Sequence, residues 1–155
     1  MEELLEITDH IVFNSERQLR KHGPRCREAG ISVGLRLNPQ CSTQGDHALY
    51  DPCVPGSRFG VTIDKIPSDL LDLVDGLHFH TLCEQGADDL ETTLKAVEAQ
   101  FGPYLHEVKW LNMGGGHHIT REDYDVDLLI SEIKRIQETY NLEVYIEPGE
   151  ALSLI

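Results

Sequence analysis

Three consecutive apolar runs of the chain end in residues that can do chemistry. Residues 76–80 (Gly-Leu-His-Phe-His) end in imidazoles, and residues 111–116 end in three glycines. The last run, residues 142–146, is followed directly by Glu147. If each run is a strand, one sheet edge carries an imidazole, a glycine loop of phosphate size and a carboxylate. This set suits a phosphorylated cofactor with a nitrogen-containing ring.

The glycine run predicts a phosphate loop. Gly114, Gly115 and Gly116 let backbone N–H groups approach an anion closely, and a helix is predicted to follow them. The N-terminus of that helix adds a dipole that favours negative charge. The alternative is a tight turn that needs only positive φ angles.

Glu147 is placed to hold a proton on a ring. A carboxylate at a strand end can hydrogen-bond a protonated ring nitrogen, and in pyridoxal phosphate enzymes this makes the ring an electron sink. The alternative is a structural salt bridge at the edge of the sheet. Glu147 is therefore a candidate catalytic and cofactor-binding residue.

The histidines allow two interpretations. His80 ends its strand, where an imidazole can stack on a flat cofactor. His78 lies two residues earlier and shares the same strand face, so the two can also ligate a metal, with Cys83, His117 or His118 completing the site. The structural alternative is one hydrogen-bonded histidine and several exposed ones.

Arg36 closes the strand predicted at residues 32–37. An arginine there can contact a phosphate or a substrate carboxylate. The alternative is an ion pair with a neighbouring acidic residue.

The elements that position these residues alternate along the chain. Strands are predicted at residues 11–13, 32–37, 76–80, 108–113 and 143–146, with helices at 16–29, from 67, at 86–101 and within 121–140. This order indicates parallel strands joined by crossover helices, in a doubly wound sheet or part of a (β/α)8 barrel. The polar strand ends favour the barrel, because barrel active sites lie at that edge. The long irregular stretch at 40–59 is typical of a functional or disordered loop.

Composition excludes several classes of function. The net charge of −14 argues against nucleic acid as a partner, since its binding needs a basic face. No apolar run has the length of a membrane span, and the acidic start Met-Glu-Glu does not predict a signal peptide. The four cysteines lack CxxC spacing and predict cytoplasmic thiols: Cys26, Cys41, Cys53 and Cys83.

Taken together, these residues resemble the fold-type III pyridoxal-phosphate decarboxylases, an alanine racemase-like barrel family. Within it they resemble the carboxynorspermidine/carboxyspermidine decarboxylase branch of polyamine biosynthesis. The resemblance runs along nearly the whole chain and is carried by residues 36–39, 50–53, 56–60, 76–84, 111–116 and 147–151.

The resemblance implies a role for each candidate. His80 would stack on the pyridine ring, the three glycines and Arg36 would bind the cofactor, and Glu147 would pair with the ring nitrogen. The wider family has His-Val-Gly-Ser where residues 80–83 are His-Thr-Leu-Cys, and arginine where Glu150 stands. Both departures resemble the polyamine branch, which implies that Cys83 and Glu150 bind substrate, with Glu150 accepting an ammonium group.

The resemblance also implies parts that lie outside this chain. The family barrel is followed by a C-terminal β-domain and works as a homodimer, and its cofactor is attached to a lysine. The chain's lysines fall on predicted helices, in a loop or at the opening of a strand: Lys21, Lys65, Lys95, Lys109 and Lys134. We therefore expect residues 1–155 to be the C-terminal part of the barrel domain, inactive alone. The alternatives are a metal-dependent barrel hydrolase and a non-catalytic relic of the cofactor-binding fold.

Overall fold

The computed structural model describes residues 2–45 and 51–153. Tyr50, which opens one of the stretches above, and residues 154 and 155 lie outside this range. The elements are α1 (Glu2–Leu5), β1 (His10–Phe13), α2 (Glu16–Glu28), β2 (Ser32–Arg36), a 3-10 turn (Ile63–Lys65), α3 (Leu70–Leu73), β3 (Gly76–His78), α4 (Ala87–Leu105), β4 (Trp110–Asn112), α5 (Val126–Tyr140), β5 (Glu143–Tyr145) and α6 (Gly149–Ser153).

The five strands form one parallel sheet in the order β1-β2-β3-β4-β5. All five predicted strands and the crossover helices between them are confirmed. A doubly wound sheet reverses its strand order at a switch point, and this sheet adds every strand on the same side. That progression is the one found in a β/α barrel. The terminal helices α1 and α6 were not predicted.

The strand register aligns one side chain from each of four neighbouring strands. The aligned row consists of Arg36, His78, Asn112 and Tyr145. Successive residues of a strand point to opposite faces. The preceding row, Leu35, Leu77 and Leu111, has no exposed surface and belongs to the hydrophobic core. The polar row therefore faces away from that core.

The long helices cover the apolar face of the sheet. Helix α4 buries the residues predicted for its apolar side, Leu90, Leu94 and Val97. Helix α5 lies beside it, and Arg135 bridges the two helices through two hydrogen bonds of 2.8 and 2.7 Å to the Glu98 carboxylate. Among the described residues, no helix combines the length and apolarity needed to cross a membrane.

Trp110 fills the opposite face of the sheet. Its indole lies over Gly34 and Gly76, where an added Cβ would come closer than 3.0 Å to the ring. Its Nε1 donates a 2.8 Å hydrogen bond to the Ser32 hydroxyl. Glycine on β2 and β3 thus makes room for the indole. Since the chain has one tryptophan, its fluorescence reports on this face alone.

Candidate functional site

The carboxylate of Glu147 lies where the ends of three strands converge. Its backbone N–H donates to the Gly114 carbonyl at 2.8 Å, which fixes the residue beside the glycine run. Its Oε1 accepts a 3.0 Å hydrogen bond from Asn112 Nδ2 and lies 3.7 Å from His78 Nε2. Its Oε2 lies 3.9 Å from His80 Nδ1. The structure therefore brings the predicted imidazoles, glycines and carboxylate together.

The surroundings of Glu147 keep it ionised. The neighbouring His78 imidazole, followed by that of His80, holds the pKa of the Glu147 carboxyl well below its usual range. Burial acts in the opposite direction, and the Asn112 amide adds to the lowering. The site thus presents a fixed negative charge at neutral pH.

The two imidazoles have different environments. His78 is buried, and within the described residues its Nδ1 has no hydrogen-bond partner. A neutral imidazole has one donor and one acceptor nitrogen. With the proton on Nε2, facing Glu147, only the bare Nδ1 acceptor is left without a partner. The His80 side chain is 38% exposed, and its Nδ1 accepts a 3.3 Å hydrogen bond from the Gly115 N–H.

The three glycines are required by the packing of the loops. A Cβ at Gly114, Gly115 or Gly116 would lie closer than 3.0 Å to a backbone carbonyl oxygen of Phe79, Glu147 or Leu82, respectively. Gly114 and Gly116 also have positive φ angles of 72° and 80°. The structural alternative, a tight turn, therefore accounts for the glycines, and phosphate binding stays a prediction.

Arg36 lies at the rim of the site. Its Nη2 donates a 3.0 Å hydrogen bond to the His80 carbonyl, and its guanidinium lies 4.9 Å from the centre of the Phe59 ring. Burial lowers the pKa of Arg36. Within residues 2–45 and 51–153, Arg36 forms no ion pair with a carboxylate. The structural alternative, an ion pair with a neighbouring acidic residue, is therefore not observed there. Arg36 borders a cavity of about 810 Å³.

Cys83 and Glu150 have different immediate neighbours. Cys83 lines a cavity of about 290 Å³ together with Arg36, Phe59 and His80. Glu150, at the start of α6, lies 3.1 Å from His118 Nε2 through its Oε1. The carboxylate predicted to accept a substrate ammonium thus already faces an imidazole of the chain. The substrate roles of both residues stay predictions.

Two residues near the site have contacts that the sequence did not predict. Asn112, the last residue of β4, donates to Glu147 and accepts a 2.8 Å hydrogen bond from the Gly114 N–H. A polar residue directly before three glycines was the available signal. His117 was interpreted only as a possible ligand, but it is fully buried and its Nδ1 lies 3.5 Å from the Tyr124 hydroxyl.

Burial lowers the pKa of His117 to about 4, with the nearby His80 acting in the same direction. The His117 imidazole therefore takes up a proton near pH 6.5 in the unfolded chain but only near pH 4 in the folded chain. Stability is complete above that pH and falls as the pH drops towards 4. Urea unfolding is expected to lose about 2 kcal/mol between pH 6.5 and 5.

The matched variants for this prediction are His117→Asn and His106→Asn. Only the first should flatten the pH dependence, since it removes the buried imidazole. An equal slope in His117→Asn would contradict the assignment. If that variant does not fold, titration of the His117 ring by NMR in the parent chain gives the same answer.

The structure contains a possible set of metal ligands, but its third member differs from the ones predicted. Within the described residues, the metal-ligand atoms that lie within 4.8 Å of one another belong to His78, His80 and Glu147. Cys83 and His118 do not join this group. The predicted histidine pair is thus brought together, and the carboxylate completes it.

The lysines lie away from the carboxyl edge of the sheet. Lys21, Lys95 and Lys134 lie on helices, as predicted, and Lys65 lies in the 3-10 turn. Lys109 precedes β4 and its Nζ donates to Asp75 at 2.8 Å, at the opposite end of the strands. The sequence therefore brings no lysine of its own to Glu147.

The chain that carries these site residues is similar in sequence to known decarboxylases. The chain is 42% identical over 150 residues to a carboxynorspermidine/carboxyspermidine decarboxylase of Campylobacter jejuni, covering 97% of this chain and 38% of the relative. This chain is homologous to that decarboxylase family. It is also 38% identical over 152 residues to the carboxyaminopropylagmatine decarboxylase of Synechocystis, covering 97% of this chain and 39% of the relative.

The fold agrees with this decarboxylase homology. A crystal structure of carboxynorspermidine decarboxylase from Campylobacter jejuni, complexed with norspermidine, matches with a TM-score of 0.84 and 40% identity, over 97% of this chain and 37% of that one. The five parallel strands thus match part of the fold of that decarboxylase, which supports the partial β/α barrel predicted from the sequence. The chain spans about two fifths of the length of these relatives. No family model matches it.

Proposed function

We propose that this chain is the part of a pyridoxal-phosphate-dependent decarboxylase that holds the cofactor ring. The proposed reaction converts carboxynorspermidine or carboxyspermidine into norspermidine or spermidine, in polyamine biosynthesis. The observation that carries the proposal is the ionised Glu147, fixed by Asn112 beside His80 and the glycine run. The names of the relatives support the substrate class.

The residues present fit the cofactor. Glu147 borders a cavity of about 290 Å³ that Asn112, Trp110 and Tyr145 also line. The His80 ring is partly exposed and offers a face for stacking. Within the described residues, the Gly116 N–H donates to no protein acceptor and is available for a phosphate oxygen. What pyridoxal phosphate supplies when bound is an electron sink for the electron pair left after loss of CO2.

Each residue of the site has a proposed role in this reaction. Glu147 holds a proton on the ring nitrogen, and Asn112 and His78 keep its carboxylate ionised and oriented. His80 stacks on the ring and fixes its plane. Arg36 and the glycine run, through its Gly116 N–H, bind anionic oxygens. Cys83 and Glu150 contact the substrate, Glu150 by exchanging its His118 partner for a substrate ammonium.

We further propose that the remaining parts of the active site come from outside this chain. Residues 1–155 would form the C-terminal part of the barrel domain. The lysine that carries the cofactor would belong to another barrel strand, because no lysine of the described residues pairs with Glu147 and Lys109 pairs with Asp75 instead. A homodimer with a C-terminal β-domain would complete the site. The chain alone is then a binding module without turnover.

Pyridoxine 5′-phosphate tests the binding part of this proposal. It carries the ring and the phosphate but lacks the aldehyde, so it cannot react with surface lysines. Because Trp110 borders the same cavity as Glu147, we expect saturable quenching of its fluorescence, with weaker binding in Glu147→Gln. Pyridoxine without phosphate should bind at least about 10-fold more weakly, the equivalent of one charge-assisted contact of about 1.4 kcal/mol. Absent or phosphate-independent quenching would overturn the proposal.

A further inference from the structure

Three side chains at the carboxyl edge of the sheet form a metal-ligand set as well as a cofactor site. The donor atoms of His78, His80 and Glu147 all lie within 4.8 Å of one another. Four-coordinate zinc binds imidazole nitrogen and carboxylate oxygen at about 2.0–2.2 Å, which puts neighbouring donors roughly 3.3–3.6 Å apart. The observed separations of 3.7 Å and 3.9 Å from the Glu147 oxygens to the two imidazole nitrogens are close to this spacing.

The mobility of the three side chains suits closure around an ion. The His78 side chain is only 8% exposed and is held by its surroundings, whereas His80 and Glu147 are 38% and 49% exposed. Adjustment of the two freer side chains would bring the three donors, which already lie within 4.8 Å of one another, to bonding distance. Closure gives up the 3.3 Å hydrogen bond from the Gly115 N–H to His80 Nδ1, and His78 Nε2 must give up the proton that faces Glu147.

The donor types of the cluster also suit a cation. Two imidazoles and one carboxylate are a ligand set found in zinc sites that keep a coordination position open. Of the three ligands, Glu147 borders the cavity that Trp110 and Tyr145 also line.

We propose that the cofactor-free chain binds one divalent transition-metal ion, with zinc as the preferred probe, at His78, His80 and Glu147. We propose further that this ion and the pyridine ring exclude each other. The exclusion rests on the proposed function: one carboxylate cannot both ligate a metal and hold the ring-nitrogen proton, and a ligating His80 cannot stack. Free zinc would then inhibit loading of the enzyme by occupying the unloaded site.

Calorimetric titration of the EDTA-treated, desalted chain with zinc chloride tests the site itself. We expect one zinc ion per chain, with affinity reduced about 10-fold or more in both His78→Ala and Glu147→Gln, since loss of even an indirect ligand partner costs this much. His106→Ala, which removes an imidazole that packs on Tyr140 instead, should bind zinc like the parent chain. No zinc binding, or binding unchanged in both site variants, would overturn the proposal. Glu147→Gln is nearly isosteric and keeps the test valid if His78→Ala does not fold.

A competition titration tests the exclusion. Pyridoxine 5′-phosphate is titrated against Trp110 fluorescence with and without saturating zinc. We expect zinc to raise the apparent dissociation constant at least about 10-fold in the parent chain but not in Glu147→Gln. Simultaneous binding without mutual effect would overturn the exclusion. Failure of pyridoxine 5′-phosphate to bind the metal-free chain would count against the proposed decarboxylase site, while the zinc titration would still decide the metal site.

Discussion

Replacing Glu147 by glutamine is expected to lower the kcat of the full-length protein about 100-fold. A carboxylate beside a ring nitrogen raises the pKa of that nitrogen by roughly 1–3 units, and its removal lowers the protonated fraction accordingly. A shift of about two units corresponds to about 2.7 kcal/mol. Steady-state kinetics on the protein that carries this chain, with the cofactor bound, measure the effect.

The control for this variant lies on the same strand. Glu143 is exposed, and its carboxylate accepts a hydrogen bond from the Tyr145 hydroxyl. Glu143→Gln should leave kcat within about twofold of the parent, as surface substitutions usually do. Equal kcat values for Glu147→Gln and the parent protein would remove Glu147 from its catalytic role. A loss confined to KM would instead indicate that it acts only in binding.

Gly116→Ala is expected to destabilise the chain by about 2–5 kcal/mol. The added Cβ would meet the Leu82 carbonyl oxygen, a backbone atom that cannot rotate away. Its φ of 80° also disfavours any side chain. Left-handed strain costs about 1–2 kcal/mol and overpacking a further 1–3 kcal/mol. The free energy of unfolding in urea measures the sum.

Gly30→Ala separates the two contributions. Gly30 has the same φ of 80°, but a Cβ there would meet nothing within 4 Å. We expect it to lose only the strain energy of about 1–2 kcal/mol. Similar losses in the two variants would show that the contact with Leu82 is relieved by movement of the loop.

Apolar runs and glycines predicted the fold well. Each strand is a short apolar run followed by polar residues, and the Ser15 hydroxyl accepts the hydrogen bond from Gln18 N–H that its N-cap position implies. The convergence of His80, the glycines and Glu147 follows from parallel strands ending at one edge. The short terminal helices were missed because four or five residues are too few to show a helical period.

The partners of the site residues could not be predicted in the same way. The contact from Asn112 to Glu147 depends on the register between β4 and β5. The sequence of either strand alone does not determine that register. The contact between His118 and Glu150 joins a loop to the start of α6, 32 residues further along the sequence. Such pairs are set by tertiary packing, so sequence analysis gives the residue types but not their neighbours.

The indole of Trp110 and the two glycines beneath it have a consequence for evolution. Gly34, Gly76 and Trp110 are direct neighbours across three strands, and one large side chain fills the space of three. A smaller residue at position 110 would leave a void that side chains at 34 and 76 could fill, while either change alone would create a cavity or a clash. Among homologous sequences, these three positions should therefore covary, with total side-chain volume preserved. These three positions would then evolve as one packing unit on this face of the sheet.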